Sequence, residues 1–224
     1  NKNFFMCGIL FSISRNIQEK NFKDSLNLLH HRGPDNTGFL KIKFKDYDIL
    51  FGHKRLSIID INSESNQPFI SNTGRWILLF NGEIYNYKEL RLNLLKEGIK
   101  FKTNSDTEVL LNCIIKYKHE AINKLRGMWA YVCFDKLLGK VYYSVDNVGQ
   151  KPLFIKNNSN EIIISSEQKS ILALCSRSPD IRSEHILNYI NTSFLYSDGN
   201  KTIFKDINKV NPSSSNEIRI GDQE

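Results

Sequence analysis

The sequence contains no long apolar run. Hydrophobic residues make up 40% of its 224 positions, but no run approaches the ~20 residues that a membrane-spanning helix needs. The opening stretch NKNFFMCGIL has one lysine and a very short apolar patch, without the longer apolar segment and cleavage site of a secretory signal. No membrane segment is therefore predicted, and the expected compartment is the cytoplasm.

Cysteine is scarce, and its spacing does not suit cross-links or metal sites. The four cysteines, Cys7, Cys113, Cys133 and Cys175, lie far apart and form no CxxC pair. Neither a disulfide framework nor a zinc site is predicted from this spacing. All four are expected to be reduced thiols, and the default interpretation of each is a small buried hydrophobic residue.

The positive charge of the chain is not concentrated in one stretch. The sequence has 31 basic and 24 acidic residues, a net charge of +7. Its lysines are spread through LKIKFKDYD, LLKEGIKFKTN and IIKYKHE, between apolar residues, as on the solvated faces of strands and helices. A nucleic-acid ligand is not expected, because it would need a clustered positive face with stacking aromatic residues.

Nucleotide-binding motifs are also missing. The sequence contains neither a Walker loop nor a Rossmann glycine fingerprint. No cofactor and no metal ion are expected in this chain. A length of 224 residues suits one large domain, or a domain with an appendage.

Strand and helix patterns are both present along the chain. Segments typical of strands are CGILFSIS, TGFLKIKF, YDILFGHK, RWILLFNG, GMWAYVCFD, VYYSVD, PLFIK and EIIISS. WILLF and MWAYVCF are apolar on both alternating faces, so these strands should be buried on both sides. Helical spacing is found over residues 22–29 and 84–95, after the Ser105/Glu108 capping pattern, and in EQKSILALC and SEHILNYI. Two stacked sheets flanked by helices are predicted.

Polar residues at strand ends and turns could support nucleophilic catalysis. Cys7 starts the first strand, Arg55 lies in GHKRLSIID, Asn81-Gly82 ends a strand, and Asp106 starts a helix. A cysteine nucleophile needs a base and oxyanion donors, and an arginine with an aspartate suits the two charges of a free amino acid. Each residue alone also has a simpler interpretation: a turn for Asn-Gly, a first-turn acid for Asp106, an ion pair for Arg55, and core packing for Cys7.

Taken in order, these segments resemble a known family. MCGI, HRGPD, GHKRLSIID, NQPF, NGEIYNY, SDTEVLL, LRGMWAYVCFD, GQKPLF and SSEQKSIL are similar to the glutaminase half of glutamine-dependent asparagine synthetases, over nearly all of the chain from Cys7 onward. RLSI separates this branch from the glucosamine-phosphate and purine-pathway amidotransferases. Two segments depart from the family pattern: Val145 replaces the usual arginine before the aspartate, and VNPSSSN replaces an LPPGH turn.

The resemblance implies an α+β fold and a set of site residues. The fold is the four-layer αββα sandwich of N-terminal nucleophile hydrolases, with two antiparallel sheets between helices. Cys7 would attack the side-chain carboxamide of L-glutamine, with its own free α-amino group as the base, and release glutamate and ammonia. The implied residues are Asn81 and Gly82 for the oxyanion, Arg55 for the α-carboxylate, Asp106 and Glu83 for the α-ammonium, and Leu56, Ser57, Ile58 and Ile59 for the pocket wall.

The residues before Cys7 bear directly on this chemistry. An α-amine with a pKa near ~7.7–8.0 suits a thiol near ~8.5, but only a terminal cysteine has such an amine. With residues 1–6 attached, the chain should be inactive. Translation from Met6 followed by its removal is favoured, and a clipped propeptide or a disabled site are the alternatives. The domain is expected over 7–205, with 1–6 as a removed or foreign lead and 206–224 as the start of a linker.

The resemblance also implies a second domain. Asparagine synthetases have a Ser-Gly-Gly-x-Asp-Ser loop that binds ATP, with magnesium, to activate an acceptor carboxylate, and no such loop occurs here. The expected partner is that synthetase domain, in the same or a separate chain, and a homodimer is left open. The expected function is to supply ammonia for asparagine synthesis. The alternatives are amidation of a sugar acid or peptide, and a non-catalytic scaffold with a blocked Cys7.

Overall fold

The computed structural model describes residues 6–56, 66–175, 179–193 and 199–220. The strands are β1 (Gly8–Ser14), β2 (Asn36–Phe44), β3 (Tyr47–Arg55), β4 (Phe69–Ile70), β5 (Trp76–Ile84), β6 (Gly127–Asp135), β7 (Lys140–Val145), β8 (Phe154–Asn157), β9 (Glu161–Ser165), β10 (Ile207–Lys209) and β11 (Ser214–Arg219). The helices are α1 (Glu19–Asn27), α2 (Tyr87–Lys96), α3 (Asp106–Tyr117), α4 (Gln168–Leu174) and α5 (Ser183–Thr192), with a 3-10 helix over Lys118–Asn123.

The strands form two antiparallel sheets. Sheet A has the order β10-β8-β9-β1-β3-β2, and sheet B has the order β11-β7-β6-β5-β4. Gly8 of β1 lies opposite Lys54 of β3, so the start of β1 and the end of β3 share one end of sheet A. Ile84 of β5 lies opposite Gly127 of β6 at the end of sheet B that carries the functional candidates. The registers therefore gather the ends of four strands into one region.

Alternate side chains of each strand pack into different apolar layers. In β5, Leu79 lies between the two sheets, whereas Leu78 packs outward under α2 and α3. In β1, Phe11 lies between the sheets, whereas Leu10 packs outward with residues of α1 and α4. Because both faces of each central strand are covered, the strands read as continuous apolar runs. The predicted four-layer αββα sandwich is confirmed.

The helix predicted over 84–95 is shorter than expected. It begins at Tyr87, because β5 stays paired with β6 as far as Ile84. Of the predicted apolar face, Leu90 and Leu94 are buried, but Leu95 is 45% exposed. Pairing of a strand with its neighbour has overridden the helical spacing at the start of this segment.

The N-terminus of α3 is capped in a different way from the predicted capping box. The Ser105 side chain accepts a hydrogen bond from the Thr107 N–H at 3.1 Å, as expected of an N-cap. Glu108 does not return to Ser105. Its carboxylate instead accepts the backbone N–H groups of Lys102 and Thr103. The cap and this carboxylate together fix the segment that presents Asp106.

The boundary expected at residue 205 is wrong. Residues assigned to a linker form β10, which pairs with β8 at one edge of sheet A, and β11, which pairs with β7 at one edge of sheet B. The polar, turn-rich composition of this stretch suits edge strands, which are solvated on one side. Val145, the departure from the family pattern, is buried in β7 opposite Ser214. The folded unit therefore includes this last segment.

No helix in the described ranges combines the length and the apolar character needed to cross a membrane.

Candidate active site

Polar side chains extend the inner faces of both sheets at one end of the sandwich. Apolar residues of β1, β3 and β5 fill the space between the sheets: Ile9, Phe11, Ile49, Phe51, Ile77 and Leu79. Side chains of a strand alternate between its faces, so the same inner faces continue into polar residues. These are Cys7, His53, Arg55, Asn81 and Glu83. The candidate site therefore lies where the inter-sheet core ends.

Two side chains donate hydrogen bonds to the backbone of Phe80, and that of His53 comes from the other sheet. His53 Nε2 donates to the Phe80 carbonyl at 3.1 Å, and Gln67 Nε2 donates to the same oxygen at 3.0 Å. Burial lowers the pKa of His53 to about 4, the bond to Phe80 opposes this, and the Arg55 charge adds to the decrease. The imidazole is therefore neutral near pH 7. These bonds hold Asn81, the next residue, against the end of β3.

Cys7 is a partly buried thiol beside the end of β3. Its Sγ accepts the Leu56 N–H at 3.4 Å and lies 3.7 Å from the Leu56 carbonyl oxygen. Burial raises the pKa of the thiol, while the Leu56 N–H and the charges of Arg55, Arg32 and Lys151 act to lower it. The thiolate is thus disfavoured overall, so attack by Cys7 requires a nearby base.

Arg32 holds the backbone of Cys7, a role that was not assigned from the sequence. Its Nε donates to the Cys7 carbonyl at 3.0 Å, and its Nη1 donates to Glu167 Oε1 at 3.0 Å. Glu167 also contacts His31 at 2.8 Å and Lys169 at 3.0 Å. Burial alone raises the pKa of Glu167, but the hydrogen bonds from these three partners lower it below its usual value. The HRGPD and SSEQ segments, which contain Arg32 and Glu167, could therefore have been used to predict these residues as part of the site.

Arg55 is 8% exposed at the end of β3. Its Nη1 donates to Asn66 Oδ1 at 2.5 Å, and its carbonyl accepts the Asp35 N–H at 3.1 Å. The orientation of the guanidinium is therefore restrained, and its charge acts on the Cys7 thiol. Of the predicted pocket wall, Leu56 contacts Cys7, whereas residues 57–59 (Ser57, Ile58 and Ile59) lie outside the described residues.

Asn81 and Gly82 lie inside β5, so the simple interpretation as a turn is wrong. Asn81 is 2% exposed, and its buried Nδ2 has no hydrogen-bond partner among the described residues. A Cβ on Gly82 would lie 2.1 Å from the Met128 carbonyl oxygen, so this close approach of β5 to β6 requires glycine. An unpaired buried amide is costly, so it marks a place where a ligand acceptor is expected.

Asp106 and Glu83 place two carboxyl groups at the far side of the site. Asp106 is 5% exposed, and its Oδ2 accepts the Ile84 N–H at 3.0 Å. Burial raises the pKa of Asp106, backbone bonds from Ile84 and Thr107 oppose the shift, and the Glu83 charge adds to it. Two neighbouring carboxyls of this kind are relieved by a cation. An ammonium group of a ligand fits that need.

The other cysteines have no place in this arrangement. Cys113 of α3 and Cys133 of β6 are buried in the same apolar cluster, and burial raises the pKa of Cys113 to about 12. Cys175 is partly exposed at the end of α4. Within the described ranges, no group of three or more His, Cys, Asp or Glu residues could hold a metal ion. Cys7 is thus the cysteine that lies among candidate substrate-binding groups.

Known proteins share the sequence over most of its length. The chain is 38% identical over 202 residues to the glutamine-hydrolysing asparagine synthetase 1 of Bacillus subtilis (strain 168). The aligned region covers 90% of this chain and 31% of that protein. It is 32% identical over 183 residues to asparagine synthetase 3 of the same organism, covering 80% of this chain and 28% of that protein. The chain therefore spans less than a third of the length of these two relatives.

The fold is shared with a solved amidotransferase. The glutamine phosphoribosylpyrophosphate amidotransferase from B. subtilis aligns with a TM-score of 0.61 at 22% identity, covering 75% of this chain and 43% of that chain. This likeness concerns the fold alone. The model of the family described as the glutamine amidotransferase domain matches residues 6–224, and because this match covers nearly the whole sequence, the chain belongs to the glutamine amidotransferase domain family.

Proposed function

We propose that this chain hydrolyses L-glutamine to glutamate and ammonia, with Cys7 as the nucleophile. The observation that carries the proposal is the convergence of groups from separate elements on the end of the inter-sheet core. Cys7 precedes β1, Arg55 ends β3, Asn81 lies in β5 and Asp106 begins α3. A purely structural role does not explain a buried Asn81 amide that has no hydrogen-bond partner among the described residues.

The charges of the site suit a free amino acid. The Arg55 guanidinium would hold the α-carboxylate, because its planar donors match a carboxylate in a bidentate manner. Asp106 and Glu83 would hold the α-ammonium, whose charge relieves their mutual repulsion. With both ends held, the side-chain carboxamide of glutamine would lie towards Cys7 and Asn81. Leu56 and residues 57–59 would complete the pocket wall.

The proposed reaction has two halves. Cys7 Sγ attacks the carboxamide carbon, and the thiol proton passes to the α-amine of Cys7. Asn81 Nδ2 and the Gly82 N–H stabilise the tetrahedral oxyanion. The intermediate collapses to a thioester and expels ammonia, which takes a proton back from the amine. Water then attacks the thioester with the amine as base, and glutamate leaves with the thiol restored.

This chemistry requires Cys7 to be a free terminus. While Met6 is attached, the Cys7 nitrogen is an amide and has no lone pair available as a base. The Cys7 thiol, with its raised pKa, then lacks the base that it needs. We therefore propose that the working form begins at Cys7.

The ammonia would be used by a synthetase domain. The two relatives described above are named as asparagine synthetases, and the chain spans only part of their length. We propose that a domain binding ATP and magnesium receives the ammonia and makes asparagine in the cytoplasm. This second domain would be the partner of the chain, covalent or separate.

The test uses the chain expressed from Met6, with intact mass used to verify removal of the methionine. Glutamate release from glutamine is expected for this form. It should be undetectable in Cys7→Ala and unchanged in Cys175→Ala, which removes another partly exposed thiol. Equal glutamate release by Cys7→Ala and the parent would refute the proposal.

A further inference from the structure

Lys151 has a fixed backbone beside the candidate site. The Asp146 carboxylate accepts the backbone N–H of Lys151 at 3.0 Å and those of Gln150 and Val148 at 3.0 and 3.2 Å. The same carboxylate accepts the Trp129 N–H of β6 at 3.2 Å. Asp146 is fully buried. This loop therefore has little freedom, and Lys151 leaves it in a defined direction.

Among the described residues, the ammonium group of Lys151 has one weak acceptor. Its Nζ lies 3.0 Å from Met6 Sδ, in the residue directly before Cys7, and Lys151 is 7% exposed. A thioether sulfur is a poor hydrogen-bond acceptor. In the described part of the chain, Lys151 forms no salt bridge within 4.0 Å. A buried cation with this environment is costly unless a nearby group benefits from its charge.

The charges around Lys151 and Cys7 come from all neighbouring elements. Burial and the Arg32 charge lower the pKa of Lys151, whereas Cys7, Asp146 and Glu83 raise it. Arg55 and Arg32 act on Cys7 itself. Besides Lys151 itself, the charged groups that act on this position are Arg32, Arg55, Glu83 and Asp146. His53 lies beside Arg55, Asp106 beside Glu83, and Glu167 is bound to Arg32.

We propose that Lys151 is a positioning residue for the nucleophile: after removal of Met6, its ammonium group lies within electrostatic reach of the new α-amine and the thiol of Cys7. There it keeps the amine unprotonated and favours the thiolate. This assignment rests on the proposed function, because it presumes a terminal Cys7 as nucleophile.

The two effects of the Lys151 charge act in the same direction. A neighbouring cation disfavours protonation of an amine and favours ionisation of a thiol. The amine and the thiol of Cys7 are coupled, so they titrate as a pair with shared apparent pKa values. Both shifts increase the fraction of Cys7 that is ready to attack at neutral pH. Removal of the charge should therefore move the whole profile to higher pH.

The test measures the rate of alkylation of Cys7 by iodoacetamide against pH, with peptide mapping to identify the modified residue. The parent chain expressed from Met6 is compared with Lys151→Met, which keeps length without charge, and with Lys151→Arg, which keeps the charge. We expect the profile of Lys151→Met to move up by about one pH unit, a tenfold lower rate near pH 7. Lys151→Arg should stay close to the parent.

Lys23→Met is the matched control, since Lys23 is an exposed lysine paired with Glu19 on α1. An unchanged profile in a folded Lys151→Met would overturn the inference, and so would an equal shift in Lys151→Arg. Alkylation needs no substrate, so absence of glutamate release from the parent would count against the proposed function alone. If Lys151 instead contacted only the substrate, its replacement would change KM and leave the pH profile of alkylation unchanged.

Discussion

Two buried aspartates of sheet B and its helices have opposite surroundings. Asp135, at the end of β6 away from the candidate site, accepts two hydrogen bonds from Arg75 at 2.7 and 2.6 Å and the Leu137 N–H at 3.0 Å. Burial alone raises the pKa of Asp135, but these bonds lower it below its usual value. Asp106 has backbone donors, no cationic partner among the described residues and the like charge of Glu83 nearby, and its pKa is raised.

This difference separates a structural carboxylate, Asp135, from Asp106, which is proposed to bind a ligand. A carboxylate with a bidentate arginine has its charge compensated within the protein. Asp106, by contrast, has a need for positive charge that the described residues do not meet. Burial alone therefore does not identify a site residue. The partners left missing around a buried charge are more informative.

The largest expected effect is on catalysis, from Asp106→Asn. This variant keeps the shape and the bond to Ile84 but removes the charge that would hold the α-ammonium. A hydrogen bond to a charged group contributes about 1.5–3 kcal/mol, so kcat/KM for glutamine should fall by about 100-fold, mainly through KM. Steady-state glutamate release is the measurement. Unchanged kinetics in the folded variant would contradict the proposal that Asp106, unlike Asp135, binds the substrate.

The next effect is on stability, from Asp135→Asn. Loss of the carboxylate leaves Arg75 with a weaker partner, and the free energy of unfolding at pH 7 should fall by about 2 kcal/mol. Urea unfolding followed by circular dichroism measures the loss. Glutaminase activity per folded molecule should stay at the parent level, because Asp135 lies at the opposite end of β6 from the site. A similar loss of stability in Arg75→Gln would identify the pair as the cause.

The smallest effect concerns stability as pH changes: the charged form of Asp135 should stabilise the fold, whereas that of Asp106 should destabilise it. Because the folded pKa of Asp135 is lowered, its stabilising contribution is present above its unfolded pKa of about 3.9 and is lost as pH falls through the folded value. The stability gap between the parent and Asp135→Asn should therefore shrink below about pH 4. The raised pKa of Asp106 predicts that Asp106→Asn is at least as stable as the parent at pH 7.

That small stability advantage of Asp106→Asn should also disappear towards pH 4, because the Asp106 carboxyl of the parent then becomes protonated in both the folded and the unfolded state. Urea unfolding at a series of pH values measures both gaps. If Asp106→Asn proves less stable than the parent at pH 7 and the gap grows with pH, the raised pKa of Asp106 is contradicted.

The layers of the fold could be predicted from local sequence. Leu78 and Leu79 are adjacent apolar residues that pack on opposite faces of β5, and such a run is typical only of a strand covered on both sides. The pattern was less reliable at strand ends. Asn81-Gly82 looked like a turn, but the missing Cβ of Gly82 allows β5 to continue beside Met128.

The contacts of Cys7 could not be predicted in the same way. Glu167 reaches Arg32 because β9 pairs with β1 and the Ser166 N–H donates to the Ile9 carbonyl at 3.0 Å. These residues are far apart in the sequence, and no local spacing encodes their contact. Asp106 was a candidate only through its motif, since a first-turn acid has an ordinary explanation. Its unmet need for a cation required the three-dimensional structure.

The edge strands β10 and β11 also affect how the chain folds during translation. They are the last described strands, yet each lies beside a strand made much earlier, β10 beside β8 in sheet A and β11 beside β7 in sheet B. During translation, every group of the candidate site leaves the ribosome before either edge is covered. Until residue 219 has emerged, β8 and β7 are the unpaired edge strands beside a nearly complete site, and such edges are prone to pairing with other chains.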